Sequence, residues 1–167
     1  LDFMSMEDSN DGLRYLLVMK DDFSGFCRLY STPDATAISA VHAIMDWIAN
    51  FQMMKVIISD QGPHFKNLMV NRLTQLLKIN HHTVVAYSPW SNGSIERLNR
   101  EIKRAFKTLL LENNMNPKEW TQLIGVVQYM LNSSPSKPRG NYSPFKVVYG
   151  TDDDKQLKTL ITDEGVM

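Results

Sequence analysis

The segment that decides the fold is Lys55-Val56-Ile57-Ile58-Ser59-Asp60, which is followed directly by Gln61-Gly62-Pro63. A short β-branched run that ends at Gly and Pro predicts a central strand, buried on both faces and ending at Asp60. Burying an unpaired charge is costly, so we expect the Asp60 side chain to point into the crevice at the carboxyl end of the strand. Ligands bind in that crevice in α/β sheets, which makes Asp60 the first candidate for a functional residue.

The rest of the chain alternates strand-like and helix-like patterns around this segment. Apolar runs bounded by turn residues predict further strands at 2–6, 13–19, 26–30 and 83–87, with a hairpin turn at 21–25. Helical spacing predicts helices from a Thr32 cap to about 51, at 66–79, from near Ser94 to about Asn113, and at 117–132 after an Asn116 cap. Segment 88–93 is predicted to be a loop and 135–144 to be irregular. The pattern predicts an α/β fold with a mixed central sheet flanked by helices.

The composition is that of one ordinary globular domain. The chain has 167 residues, of which 43% are hydrophobic and 22% charged, so extensive disorder is excluded. Its single cysteine, Cys27, excludes an internal disulfide and a cysteine-rich zinc site. No apolar run is long enough to span a membrane. We expect one domain at 1–150 and a tail or linker at 151–167 that leads toward a further C-terminal region.

Charge alone gives no indication of a nucleic-acid partner, because 18 basic residues balance 18 acidic ones. Three carboxylates nevertheless stand at informative places: Asp2 in the first strand, Asp60 at the end of an interior strand, and Glu96 at the start of a long helix. Converging carboxylates repel each other, and Mg²⁺ or Mn²⁺ relieves the repulsion through oxygen ligands. Two such ions can clamp the oxygens of an in-line phosphoryl displacement. Because the chain has 18 acidic residues, their spacing alone leaves open the alternative that these three carboxylates are ordinary solvated side chains.

The helix after Gly93 separates its residues onto two faces. At about 100° per residue, Leu98, Ile102, Phe106 and their apolar neighbours form a core-facing side. Glu96 shares the other side with four cations: Arg100, Lys103, Arg104 and Lys107. Read alone, this side is a solvated amphipathic surface with a Glu96–Arg100 pair.

Local motifs around the carboxylates resemble those of a known enzyme family. Asp60-Gln61-Gly62-Pro63-His64-Phe65 resembles the D-x-G-x-x-F segment of retroviral-type integrases, and Pro89 to Asn99 resembles their P-x-x-x-G-x-x-E-x-x-N segment. Between Asp60 and Glu96 lie 35 residues, the interval of the family's D,D-35-E signature. Leu1-Asp2-Phe3 is similar to the strand that carries the first aspartate. Asn132 to Pro135 and Ser143 to Gly150 resemble segments of gypsy-type LTR retrotransposon integrases.

The resemblance implies an RNase H-like fold and DNA integration: metal-dependent 3′-end processing and strand transfer of retroelement DNA into target DNA. It implies that Asp2, Asp60 and Glu96 are catalytic and hold two Mg²⁺ (or Mn²⁺) ions. It also implies that the four cations on the side of Glu96 bind the phosphates of a DNA end. The implied enzyme is a polynucleotidyl transferase with possible endonuclease activity. Its implied partners are double-stranded DNA, from element ends and target, and further copies of the chain, with no membrane. The expected location is nuclear, with a cytoplasmic phase in a retroelement particle.

Other residues have weaker claims. His64, Asn92 and Gly93 are candidate DNA contacts, and Asn99 is placed to buttress the site. A second basic cluster comprises Lys137, Arg139 and Lys146. The chain departs from gypsy-type members at Ser88-Pro89, where many have His-Pro, and His81-His82 cannot replace the family's zinc module. An RNase H-like nuclease and a domesticated, non-catalytic DNA-binding or scaffold protein are the alternative functions.

Overall fold

The structure is a computed structural model that describes residues 1–84 and 89–151. Its strands are β1 (Asp2–Ser5), β2 (Tyr15–Lys20), β3 (Cys27–Thr32), β4 (Val56–Ser59) and β5 (Asn80–Thr83). Its α-helices are α1 (Ala37–Asn50), α2 (Leu68–Leu76), α3 (Pro89–Glu112), α4 (Ile124–Ser133) and α5 (Pro144–Tyr149), and two 3-10 helices span Pro117–Leu123 and Lys137–Arg139. None of the described helices has the length and apolar character to cross a membrane. The tail predicted at 151–167 lies, beyond Thr151, outside the described residues.

The strands combine antiparallel and parallel pairs. β1, β2 and β3 form an antiparallel sheet in that order, and the predicted hairpin between β2 and β3 is confirmed. β4 and β5 pair in parallel. The Leu1 nitrogen donates a hydrogen bond to the Ile58 carbonyl at 2.7 Å, which places β1 beside β4. The predicted α/β class is therefore confirmed.

Strand β2 lies between the two halves of the core. Leu16 and Val18 face α3, α4 and the first 3-10 helix, whereas Leu17 and Met19 face α1 and α2. All four side chains are buried, because alternate residues of a strand point to opposite faces and both faces are covered. This double coverage fixes the positions of the neighbouring strands β1 and β3.

Helix α4 completes the outer edge of β3. The Cys27 N–H donates to the Asn132 side chain at 2.8 Å, and the Asn132 amide donates back to the Cys27 carbonyl at 2.8 Å. The Leu29 N–H donates to Gln128 at 2.9 Å. Side chains of a helix thus satisfy backbone groups that an edge strand would otherwise leave unpaired. Cys27 is buried, and burial raises the pKa of its thiol to about 12.

Helix α1 begins one turn later than predicted. Thr32 ends β3 and is not the cap; Thr36 is, and its hydroxyl accepts a hydrogen bond from the Ser39 N–H at 3.3 Å. The Asp34 carboxylate accepts hydrogen bonds from the hydroxyls of Thr36 and Ser39. Asp34 therefore organises the turn before the helix, which delays the helical start.

The strand predicted at 83–87 begins earlier than predicted, and in the part that the structure describes it ends at Thr83. The strand in this region is β5, and residues 85–88 lie outside the described part of the chain. Asn80, His81 and His82 have weak intrinsic strand preference, but they pair with β4 in the register Ile57↔His81. Backbone pairing with an existing strand outweighs propensity here. His81 lies 2.8 Å from the Ser59 hydroxyl, whereas His82 is exposed, so adjacent histidines do face opposite ways.

The expectation that β4 is buried on both faces is also wrong. Ile57 and Ser59 are buried, whereas Val56 and Ile58 are each nearly half exposed. The predicted loop at 88–93 is corrected as well, since α3 begins at Pro89. Proline fits the first turn of a helix, where its missing N–H has no intrahelical partner to lose.

The C-terminal part of the domain is more helical than predicted. Asn116 caps the next segment, as predicted, with a capping box to Glu119. That segment divides into a 3-10 helix and α4 instead of forming one α-helix. Helix α5 begins at Pro144, the last residue of the segment predicted to be irregular. Its capping residue Ser143, Pro144 in its first turn and Gly150 at its end are ordinary signals of helix boundaries.

We expect Asn132→Ala to destabilise the fold by about 2–4 kcal/mol, because it leaves a buried N–H and a buried carbonyl of Cys27 without partners. Gln128→Ala, which removes one hydrogen bond at a partly exposed site, should cost about 1 kcal/mol. Urea unfolding measures both. An Asn132→Ala protein as stable as Gln128→Ala would contradict this role for the α4–β3 contact.

Candidate active site

Asp2 is the first residue of β1, and its side chain contacts α3. It lies opposite Val18 of β2 and is half-buried on the face that α3 covers. The Asn99 side-chain amide donates a hydrogen bond to Asp2 Oδ2 at 2.6 Å. Asn99 is next to Leu98, which is buried in the core between α3 and the sheet. The packing of α3 therefore sets the orientation of the Asp2 carboxylate.

Asp60 lies directly after β4, as its position in the sequence predicted. Its Oδ1 accepts a hydrogen bond from the Gly62 N–H at 2.9 Å, and its side chain is 46% exposed. Burial raises the pKa of Asp2; the hydrogen bond from Asn99 opposes this shift, and the negative charge of Asp60 adds to it. The two carboxylates are thus close enough to repel each other.

Gly62 and His64 form one wall beside Asp60. A Cβ at Gly62 would lie 2.5 Å from the His64 ring and 3.0 Å from Asp60 Oδ1, so a larger residue would displace the His64 side chain. His64 Nε2 is 3.7 Å from Asp60 Oδ1, and its ring packs edge-on against Phe3 and Phe65. The His64 side chain is only 15% exposed, so most of its surface contacts protein. Its predicted contact with DNA stays a prediction.

Glu96 is exposed on α3, three residues before Asn99 and therefore beside it on the helix surface. Among the described residues, no three His, Cys, Asp or Glu side chains approach closely enough to share a metal ion. The structure places Asp2 and Asp60 near each other, and within the described residues Glu96 does not form a three-carboxylate cluster with them.

The donor atoms around Asp2 suit a hard divalent cation. Asp2 and Asp60 offer carboxylate oxygens, and the repulsion between them favours a positive ion. The Asn99 Oδ1 oxygen is buried and has no hydrogen-bond partner in the part of the chain that the structure describes. Oxygen donors favour Mg²⁺ or Mn²⁺ over zinc. These residues therefore fit the expected metal.

The two predicted faces of α3 are confirmed. Leu98, Ile102, Phe106 and Leu109 are buried in the core. On the opposite side the four cations are exposed: Arg100, Lys103, Arg104 and Lys107. Gly93 lies within the helix with open space around it, and the side chain of Asn92 lies outside the described residues.

Other polar contacts near α3 were not predicted from the sequence. The Lys20 ammonium donates a hydrogen bond to the hydroxyl of Ser94, which lies 74 residues further along the chain. Arg139, expected in a cluster with Lys137 and Lys146, instead packs its guanidinium against Gly25 in the β2–β3 turn. No periodic pattern connects such distant residues, so the sequence alone held no signal for them.

We expect Asp2→Asn to stabilise the metal-free protein at neutral pH. The raised pKa means that folded Asp2 holds its proton more tightly than the unfolded chain does. Stability therefore falls as pH rises from the unfolded value, about 3.9, through the folded value, and this loss persists at pH 7. The gain from Asp2→Asn should shrink toward zero below about pH 3. Thermal unfolding across this range tests the expectation, and a wild type that is the more stable protein at pH 7 would contradict it.

Sequence comparison identifies viral polyproteins as relatives. The Pol polyprotein of feline endogenous virus ECE1 is 34% identical over 151 residues, which is 90% of this chain and 14% of the relative. The Gag-Pol polyprotein of baboon endogenous virus (strain M7) is also 34% identical over 151 residues, covering 90% of this chain and 8% of the relative. The chain thus spans a small part of the polyproteins that it matches.

Solved structures show the same fold. The HTLV-2 integrase catalytic core domain in complex with magnesium (trimeric form) matches 88% of this chain and 92% of its own, with a TM-score of 0.70 and 21% identity. The catalytic core domain of BIV integrase covers 94% of both chains, with a TM-score of 0.69 and 20% identity. The simian T-cell lymphotropic virus intasome in complex with the PP2A regulatory subunit B56 gamma covers 90% of this chain and 52% of its own, with a TM-score of 0.76 and 21% identity.

These likenesses confirm the RNase H-like fold. The integrase core domain family model matches residues 1–89, which contain Asp2 and Asp60 and amount to more than half of the chain. The chain belongs to the integrase core domain family.

Proposed function

We propose that this chain is the catalytic core of a retroelement integrase, a polynucleotidyl transferase that trims a DNA 3′ end and joins it to target DNA. The observation that carries the proposal is the approach of Asp2 to Asp60 beside α3, the helix that presents Glu96 and four exposed cations. Membership of the integrase core domain family supports it. The finer assignment to a gypsy-type LTR retrotransposon stays a prediction.

Asp2, Asp60 and Glu96 would hold two Mg²⁺ or Mn²⁺ ions. When bound, such ions stabilise the attacking and leaving oxygens of an in-line phosphoryl displacement. Asp2 would enter the site with its carboxylate already oriented by Asn99, and Gly62 N–H would fix Asp60 in the same way. Glu96 is exposed one helical turn from Asn99, so a modest side-chain movement on binding DNA would bring it toward Asp2.

The cations on the outer face of α3 would position the DNA. Arg100 and Lys103 follow Glu96 by about one and two turns on its own side of the helix. Contacts of this kind fix the register of a duplex through its phosphates without reading its sequence. The protein would thus contribute positioning and electrostatic stabilisation, which is most of what phosphoryl transfer requires.

The proposed partners are double-stranded DNA, from element ends and target, and further copies of this chain. One of the similar structures is a trimeric form of a catalytic core domain and another is an intasome, which supports an assembly here as well. The proposed location is nuclear, with a cytoplasmic phase in a retroelement particle.

We expect Mg²⁺ or Mn²⁺ to bind between Asp2 and Asp60. Isothermal titration of the chain should show a binding heat that Asp60→Asn abolishes, because the substitution removes one of the two converging carboxylates. Asp8→Asn is the matched control, since Asp8 is an exposed carboxylate whose ion-pair partner is Arg14. Equal isotherms for wild type and Asp60→Asn would refute the metal assignment.

We expect Glu96→Gln to abolish strand transfer while leaving the fold intact. Stability should change by less than about 0.5 kcal/mol, since the side chain is exposed. Joining of a labelled duplex end to a target plasmid should fall at least about 100-fold, because a metal ligand contributes several kcal/mol to the transition state. Glu112→Gln, at the far end of α3, serves as the control. A Glu96→Gln protein that joins DNA as fast as this control would show that Glu96 is not the third ligand.

A further inference from the structure

Lys20 is a half-buried cation at the end of β2 that neither the metal site nor the outer face of α3 includes. Its side chain is 17% exposed, and its ammonium donates to the Ser94 hydroxyl. Within the described structure its ion-pair partner is Asp22, whose Oδ1 lies 4.0 Å from the ammonium and whose side chain is 89% exposed. A solvated ion pair at that distance contributes little, so Lys20 retains most of its capacity to bind another anion.

Arg139 approaches the same place from the other end of the sequence. Its guanidinium lies over Gly25, where a Cβ would be 2.2 Å from Nη1. Gly25 also has a φ of +75°, which favours glycine at this turn, and a larger residue there would displace the guanidinium. The Arg139 Nε is buried and has no hydrogen-bond partner within residues 1–84 and 93–151.

Arg97 supplies the third positive charge, from the first half of α3. It follows Ser94 by three residues, so it neighbours Ser94 on the helix surface, and it is exposed. Burial lowers the pKa of Lys20, the carboxylate of Asp22 opposes this shift, and the charges of Arg139 and Arg97 lower the pKa further. Lys20 is therefore close enough to each of the two arginines to be repelled by it.

Three acidic residues lie nearby, Asp21, Asp22 and Glu101, and none of them forms an ion pair with Arg97 or Arg139 in the described structure. Asp21 is occupied, because its carboxylate accepts hydrogen bonds from the Ser24 N–H at 2.7 Å and from the Ser24 hydroxyl at 2.5 Å. Glu101 lies one turn beyond Arg97 but makes no ion pair with it in the described structure. Three cations therefore lie near three carboxylates, but Arg139 Nε has no acceptor in the described structure and Lys20 has only a long ion pair to a solvated carboxylate. Both retain donor capacity that suits an anion with several acceptor oxygens.

We propose that Lys20, Arg97 and Arg139 form a phosphate-binding site for the DNA backbone, on the flank of α3 opposite to Asp2. This inference rests on the proposed function and adds a second DNA contact to it. At about 100° per residue, Asn99 and Arg97 lie roughly 160° apart around the helix, with Glu96 between them. A helix is about 10–12 Å wide with its side chains. A duplex crossing the outer face of α3 would therefore meet the carboxylates on one side and this cationic site on the other.

The test is the salt dependence of binding to a fluorescein-labelled 20-base-pair duplex in the absence of divalent metal. Arg97→Gln and Arg139→Gln should each reduce the slope of log affinity against log salt by about 0.9, and affinity at 0.1 M salt should fall roughly eightfold. Arg139→Lys should restore most of the slope, since it keeps the charge. Arg72→Gln, at an exposed position on α2, is the matched control. Slopes equal to that of Arg72→Gln in both variants would overturn the proposal.

Two comparisons separate this inference from the proposed function. If the wild-type chain binds no duplex, both fail. If Arg100→Ala with Lys103→Ala weakens binding while Arg97→Gln and Arg139→Gln do not, the outer face of α3 holds DNA and the flanking site does not.

A second measurement places the DNA without relying on affinity. Cys27 is buried with a pKa of about 12, so it gives little background in thiol chemistry. Arg97→Cys should react by thiol–disulfide exchange with a duplex carrying a phosphate-tethered disulfide, releasing the outer thiol of the tether, at least tenfold faster than Arg72→Cys does. Equal rates would overturn the site.

Discussion

The hydrogen bond from Asn99 to Asp2 is the contact on which the arrangement of the site depends. It joins the strand that carries the first carboxylate to the helix that carries Glu96 and the cations. The bond has this geometry because the neighbouring side chains Leu98 and Ile102 are buried against β2, which fixes the rotation of α3 about its axis. A helix rotated by one residue would turn Asn99 away from Asp2 and direct Glu96 toward a different part of the surface. Core packing and the chemistry of the site are thus set by the same helix face.

The same site carries features that disfavour folding in the absence of a ligand. Asp2 is half-buried close to another carboxylate, and both Asn99 Oδ1 and His64 Nε2 are buried without hydrogen-bond partners in the described structure. Each such group lowers the stability of the folded state, so contacts elsewhere in the domain must offset that loss. Strand β2 provides such contacts, because its side chains are buried on both faces. Unpaired buried polar atoms and repelling carboxylates, set beside a well-packed core, are typical of functional sites.

How far the sequence predicted the fold depends on whether a pattern is local. The two faces of α3 could be read from a 3.6-residue period, because burial on one side and charge on the other repeat within the segment itself. The β2–β3 hairpin could be read from adjacent apolar runs and a Gly-containing turn. β5 could not, since Asn80, His81 and His82 become a strand through pairing with β4 and not through their own preference. The late start of α1 likewise depends on hydrogen bonds to Asp34, which spacing alone does not reveal.

The candidate site divides along the same line. The position of Asp60 directly after β4 was predictable, because the β-branched run ends there. The cationic surface of α3 could be assigned from its helical period. The contacts of Lys20 with Ser94 and of Arg139 with Gly25 join segments separated by 74 residues and more, so they depend on tertiary structure alone. The zero net charge of the chain conceals both surfaces, because it averages acids in turns against cations gathered along one helix. The field that a DNA backbone meets depends on the local distribution of charge. Around α3, four cations share the outer face with Glu96, Arg97 lies on one flank, and Asp2 lies on the other.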